Sequence, residues 1–146
     1  MAASLNDYLN EQFGIKEQDI RTFSPLTLAY IGDAIFDVIV RSILVNKGNT
    51  AVNKLHKRAS LVVKAGTQSL IVRTIMDDLT EEEKEIYRRG RNSKPHTKAK
   101  NASTIEYLDA TGFEAVIGFL YLKGDMDRAC EIVRLAIKKA DLDILK

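Results

Sequence analysis

The chain has 146 residues, 45% of them hydrophobic and 29% charged, with a formal net charge of +2 and a single cysteine, Cys130. These values exclude a disordered chain and an internal disulfide, and they fit one domain able to bury about two-thirds of its unfolded surface. The N-terminus lacks a basic, apolar signal segment and no apolar run approaches the roughly 20 residues of a bilayer span, so a soluble, cytoplasmic protein with no membrane partner is expected.

In chain order, helical periodicity dominates and no alternating strand pattern is present. Ser4 is placed to cap a short helix through Leu5, Tyr8 and Leu9 toward Phe13, stopped by Gly14. Ser24 before Pro25 is a cap and first-turn pair for a long helix to about Asn46, ended by Lys47-Gly48-Asn49. Asn49 or Thr50 starts a helix through Val52, Leu55 and Ala59, and another carries Val63, Ala65, Leu70, Ile71 and Ile75. Thr80-Glu81-Glu82-Glu83 is a capping-box signature with acids at a helix N-terminus, and that helix reaches about Arg89. Gly90 to Ser103, with its glycine, proline and lysines, reads as one long flexible basic loop. Thr104 opens a helix through Tyr121, and Gly124-Asp125 turns into a last helix ending near Ala140. With no repeat, linker or second domain, residues 1–146 read as a single all-α domain of about six or seven helices.

Charge is segregated along this chain. Val38 to Met76 holds no acid but carries Arg41, Lys47, Lys54, Lys57, Arg58, Lys64 and Arg73. A second acid-free run carries Arg88, Arg89, Arg91, Lys94, Lys98 and Lys100, and Asp77, Asp78, Glu81, Glu82, Glu83 and Glu85 lie between the two. Such separation suits a polyanionic partner.

Asp33 and Glu114 are lone acids inside apolar helical stretches, Leu28-Ala29-Tyr30-Ile31-Gly32-Asp33-Ala34-Ile35 and Gly112-Phe113-Glu114-Ala115-Val116-Ile117-Gly118. Taking a carboxylate out of water costs several kcal/mol unless something positive meets it, so two in such company suggest a shared cation. Helical spacing places Leu26, Ala29, Tyr30, Asp33, Asp37, Val40 and Arg41 on one face, with Leu28, Ile31, Ile35, Val38, Ile39 and Ile43 opposite. Tyr107, Ala110, Thr111, Glu114, Gly118 and Tyr121 form the corresponding stripe on the later helix, while Glu106 and Asp109 fall off it and are expected in water. Gly32, Ala110, Gly112 and Gly118 are small enough to admit a neighbouring backbone; a helical glycine costs about 1 kcal/mol against alanine, so close packing is the expected compensation. The plainer alternative pairs Asp33 with Arg41 or another base and leaves Glu114 in solvent. Asp37, one turn after Asp33, is a candidate outer ligand, water-orienting base or salt-bridge partner. Cys130, beside Ala129, Ile132 and Val133, is expected to be a small buried hydrophobe.

Other chemistries lack their residues. His56 and His96 have no second ligand at zinc spacing, no glycine loop with its lysine is present, and neither histidine is set to activate a nucleophile.

The two acidic segments together resemble the ribonuclease III catalytic domain, with Ile31-Gly32-Asp33-Ala34 matching one motif and Glu114-Ala115-Val116-Ile117-Gly118-Phe119-Leu120 the other. The chain is most similar to the short Mini-III branch, which lacks an appended double-stranded-RNA-binding domain; Leu28 to Ala34, Arg88 to Asn92 and Thr111-Gly112-Phe113-Glu114-Ala115 carry that likeness. It spans roughly Leu26 to Leu122. Full-length members carry a glutamate four residues before the aspartate and an aspartate three before the glutamate; here Ala29 and Thr111 stand there, so only Asp33 and Glu114 carry over as catalytic and metal-binding residues.

The resemblance implies hydrolysis of double-stranded RNA to 5′-phosphate and 3′-hydroxyl ends, with Mg²⁺ (Mn²⁺ substituting) held by Asp33 and Glu114 and water filling the other coordination positions. It also implies a homodimer, and maturation of the large-subunit (23S) ribosomal RNA precursor with a ribosomal protein assisting; the apolar bulk of the Asp33 helix, with Tyr30, Ile31 and Phe36, is a candidate for part of an isologous contact. A-form RNA presents phosphates and 2′-hydroxyls, which suits Lys54, Lys57, Arg58 and Lys64 as contacts and Arg88, Arg89, Arg91, Lys94, Lys98 and Lys100 as a mobile arm. The rivals are a non-catalytic RNA-binding or ribosome-assembly protein on the same scaffold, and a helical protein–protein adaptor that would leave the basic arm without a purpose.

Overall fold

Local chemistry fixes where the helices start. Ser4 accepts a hydrogen bond from the Asp7 amide to open α1 (Leu5–Gln12), and Ser24 accepts from Thr27 N–H ahead of Pro25 to open α2 (Pro25–Asn46). Thr80 and Glu83 complete the capping box of α5 (Glu81–Arg91), and Asp125 caps α7 (Met126–Lys139). A computed structural model describes residues 4–93 and 104–142. Among them are also α3 (Val52–Val63), α4 (Ala65–Ile75), α6 (Thr104–Lys123) and two short 3-10 turns, Ile20–Thr22 and Met76–Asp78, with no strand. The all-α expectation is met. α3 begins at Val52, two or three residues later than Thr50 or Asn49, and Lys64 breaks it from α4 by turning extended, φ −65° and ψ 153°. No helix among the described residues is long and apolar enough to cross a membrane.

α6 is the axle. From Asp109 to Tyr121 every residue except Glu114 is buried, and α2, α4, α5 and α7 pack around this helix. Phe36 of α2 meets Phe113 of α6 edge-to-face, centroids 5.1 Å apart and rings at 82°. At the α2–α6 crossing the backbones touch: a Cβ on Gly32 would sit 1.7 Å from the Glu114 carbonyl oxygen, and one on Gly118 would sit 1.9 Å from that of Leu28. This reciprocal glycine contact is the close packing the sequence implied.

Several expectations are corrected. The inward face of α2 is Leu28, Ala29, Gly32, Ile35, Phe36, Val40 and Leu44, whereas Val38 is 58% exposed. Contact with α6 is set by where the chains can approach, so the small Ala29 and Gly32 face inward and the bulkier Val38 does not. Phe36 is therefore in the core and unavailable to a partner subunit. Gly90 is a buried helical residue, because a Cβ there would lie 2.9 Å from that of Ala115; the loop begins after α5, not at Gly90. Residues 94–103, which hold Lys94, Lys98 and Lys100, lie outside the described residues. Cys130 is exposed, since Ala129, Ile132, Val133, Ala136 and Ile137 take the inward face of α7.

Candidate active site

The glycine contact positions the chemistry. Asp33 follows Gly32 on α2, and Glu114 supplies the very carbonyl that Gly32 admits, so the two side chains leave the crossing beside each other. Their carboxyl groups are within hydrogen-bonding reach. Asp33 is exposed at the rim and Glu114 is half-buried beneath it. Burial first, then the Asp33 charge, pushes the Glu114 carboxyl up to about 8; a hydrogen bond from Gln68 pulls the other way, and the contact between the two carboxyls adds a smaller upward push. Arg41, the base available to Asp33 in the plainer alternative, pairs with Asp37 at 3.0 Å instead. Asp37 thus takes the salt-bridge role among its three candidates.

Gln68 is a site residue that sequence reasoning missed. It is 2% exposed, and its Nε2 donates to the Val63 carbonyl at 2.7 Å and to Glu114 Oε2 at 3.2 Å. Its Oε1 is buried with no hydrogen-bond partner among the described residues, a condition that costs about 1–3 kcal/mol. The signal was present as Thr67-Gln68-Ser69, three polar residues in a row that all turn out buried on α4. Thr111 does not reach the acids: its hydroxyl donates to the Tyr107 carbonyl at 3.0 Å.

Asp109 is the clearest correction to the expected solvated acids. It is 2% exposed and accepts from Ser69 Oγ at 2.7 Å, Arg73 Nη2 at 3.0 Å, Tyr87 OH at 3.0 Å and Arg91 Nε at 2.8 Å. Burial alone would raise its pKa, but these bonds hold it below the usual carboxylate range. Burial, then the bond to Asp109, pushes the Tyr87 phenol up to about 12. Glu106 is half-buried, with Oε2 lying where a Gly66 Cβ would be. Of the basic residues, Lys54, Lys57, Lys64, Arg88 and Arg89 are exposed, Arg58 and Arg91 half-buried, and Arg88 pairs with Glu85. Arg91 is anchored to Asp109 and is no free arm.

Two oxygen-donor carboxylates, meeting where burial penalises the charge of Glu114 and, among the described residues, no base pairs with it, have the chemistry of a seat for a hard divalent cation. No group of three or more histidine, cysteine, aspartate or glutamate side chains gathers as a ligand set among the described residues. The residues fit Mg²⁺ or Mn²⁺ with most positions left to water, and they do not fit zinc.

Residues 26–125 match the Ribonuclease III domain. The chain is 47% identical to the Mini-ribonuclease 3 of Clostridium tetani over 131 residues, 89% of this chain and 85% of that one. It is 41% identical to that of a Thermoanaerobacter species over 138 residues, 94% and 97% of the two chains. A crystal structure of a protein from Fusobacterium nucleatum superposes with a TM-score of 0.75 at 37% identity, covering 83% of this chain and 98% of that one. The chain belongs to the ribonuclease III family, in its Mini-ribonuclease 3 branch. That membership supports an endoribonuclease.

Proposed function

We propose that this protein is a divalent-metal-dependent endoribonuclease that cleaves double-stranded RNA and matures the ends of the 23S ribosomal RNA precursor. The observation that carries this reading is the meeting of Asp33 and Glu114 at the α2–α6 crossing with no basic partner for Glu114 among the described residues. Asp33 and Glu114 would hold Mg²⁺, or Mn²⁺ in its place, which when bound supplies charge neutralisation at the scissile phosphate and activation of the attacking water. Asp33, at the rim, faces the substrate side, while Glu114 beneath it is fixed by the helix contact and by Gln68.

The basic residues support an RNA partner. Lys54 and Lys57 are exposed on α3, and Lys64 lies exposed at the break that delivers Gln68 to Glu114. These would contact backbone phosphates of an A-form duplex, together with Arg88 and Arg89 at the end of α5. Cutting both strands calls for two sites, and α2 offers a surface for an isologous homodimer: Tyr30 (82% exposed), Ala34 and Val38 recur one turn apart beside Asp33. Assistance by a ribosomal protein is part of the proposal and rests on the family likeness.

The test is incubation of the purified protein with a long RNA duplex, with Mg²⁺ or with EDTA. Cleavage that EDTA abolishes is expected, with Asp33→Asn and Glu114→Gln each slower by about 10³-fold, since a metal ion supplies several kcal/mol at the transition state and each ~1.4 kcal/mol is tenfold. Undiminished cutting by either variant would sink the site. Duplex binding without cleavage under any divalent ion would favour the non-catalytic RNA-binding reading.

A further inference from the structure

Gln68 uses both hydrogens of its side-chain amide: one bond goes to the Val63 carbonyl at 2.7 Å, the other to Glu114 Oε2 at 3.2 Å. The first acceptor is main chain at the end of α3, so the amide is anchored to the scaffold and not to a mobile side chain. The residue is 2% exposed. Flipping the amide would place its oxygen against the Val63 carbonyl, which can only accept, so the observed orientation is the one that keeps this bond. Glu114 is pinned at its other end as well, because its backbone carbonyl lies against Gly32. One oxygen of this carboxylate is therefore engaged by a fixed donor, and the other is left to whatever the site receives.

That difference between the two oxygens bears on which cation is accepted. Mg²⁺ is small, prefers near-octahedral geometry at about 2.0–2.1 Å and binds carboxylates through few contacts while keeping water. Ca²⁺ takes 6–8 oxygens at about 2.3–2.6 Å and readily accepts a carboxylate through both oxygens. Building on the metal-dependent reading above, we infer that Gln68 is a specificity-determining positioning residue: by occupying Glu114 Oε2 it restricts Glu114 to one-oxygen ligation and so selects Mg²⁺ over Ca²⁺. Gln68 Oε1, buried with no partner among the described residues, is the second mark of an unfinished site, since its acceptor capacity remains for a donor arriving with a hydrated ion.

The experiment is calorimetric titration of the RNA-free protein with Mg²⁺ and with Ca²⁺ at pH 9, comparing wild type with Gln68→Met, which keeps length and removes the donor. The variant is expected to bind Mg²⁺ about tenfold or more weakly, while Ca²⁺ binding holds or tightens, so the preference for Mg²⁺ falls at least tenfold. A purely structural role would weaken both ions alike; an unchanged Mg²⁺/Ca²⁺ ratio overturns the inference. If wild type and Asp33→Asn titrate identically, the metal-dependent reading fails and the inference with it. Should Gln68→Met not fold, Gln68→Leu replaces it, and NMR of the wild type provides an independent test. The Gln68 side-chain amide protons should stay bonded and slow to exchange at saturating Mg²⁺ and be released by Ca²⁺; release by Mg²⁺ overturns the proposal.

Discussion

Asp109 and Glu114 stand about one and a half turns apart on α6, both shielded by neighbouring helices, yet their electrostatic surroundings are opposite. Asp109 is met by two arginines and two hydroxyls, and its pKa falls. Glu114 is met by another carboxylate and one neutral amide, and its pKa climbs to about 8. A buried acid whose cations are built into the fold is finished, and its work is to tie α6 to α4 and α5. An acid that the fold pairs with a second acid is unfinished, and the proposed cation would complete it. The partners come from partly different places: Asp109 draws on Ser69 and Arg73 of α4 and on Tyr87 and Arg91 of α5, whereas Glu114 meets Gln68 of α4 and, as its charged neighbour, Asp33 of α2.

That separation can be broken on one side only. Gly32→Ala places a Cβ within 1.7 Å of the Glu114 carbonyl oxygen, a backbone atom that cannot step aside. α2 must move off α6, at a cost beyond the usual 1–3 kcal/mol of overpacking, about 4 kcal/mol. Denaturant unfolding should show this loss, and RNA cleavage should collapse because Asp33 leaves Glu114. The Asp109 cluster, which takes nothing from α2, should persist, so the raised Tyr87 pKa should survive in the folded fraction. Gly66→Ala is the control: the obstacle there is the end of the flexible Glu106 side chain, and less than about 1 kcal/mol is expected. Equal losses for the two would undo the claim that the helix crossing builds the site.

Asp109→Asn tests the finished site. Removing one member of a buried ion pair typically costs about 3–5 kcal/mol. Here Arg73 is 62% exposed and Arg91 37%, so both can turn to water, and about 2 kcal/mol is the expected loss in urea unfolding. Duplex cleavage by the folded variant should stay within about tenfold of wild type, the lower bound for a neighbour that orients a metal ligand. A variant as stable as wild type would mean that the four contacts to Asp109 do not hold the helices together.

These two acids also show what could be read from the chain alone. The caps at Ser4, Ser24 and Thr80, the long α2 and the all-helical class follow from local chemistry and periodicity, and the structure agrees. Asp33 and Glu114 were legible because each interrupts an apolar run next to small residues. Asp109 was not: its partners lie 18 to 40 residues away, and helical periodicity says only which face a residue occupies, not what stands opposite. Gln68 was hidden for the same reason, its bond to Glu114 crossing 46 positions. The α2 face was misassigned because hydrophobicity favoured Val38 over Ala29, while the crossing with α6 selects for smallness. Cys130 was misplaced by apolar neighbours in sequence that are not its neighbours around the helix.

The pH dependence of stability carries the sharpest distinction between the two acids. The ordinary pKa of Glu114 is 4.5, and in the folded protein it stands at about 8. An acid with a raised folded pKa contributes stability in full below its unfolded value, and that contribution is lost as pH rises through the folded one. Metal-free wild type and Glu114→Gln should therefore be equally stable near pH 4, and the variant should lead progressively toward pH 8 and above. Allowing for water reaching the half-exposed group, a gap of about 2 kcal/mol is expected. Mg²⁺ at pH 8 should close it, because the ion binds only the ionised carboxylates of the wild type. Asp109 has the opposite sign: its lowered pKa gives stability that is present above the unfolded value and lost on acidification, so the difference between wild type and Asp109→Asn should shrink toward low pH. A gap between wild type and Glu114→Gln that ignores pH would mean Glu114 is not charged against its surroundings. A gap that follows pH but ignores Mg²⁺ would leave two crowded acids and no metal site.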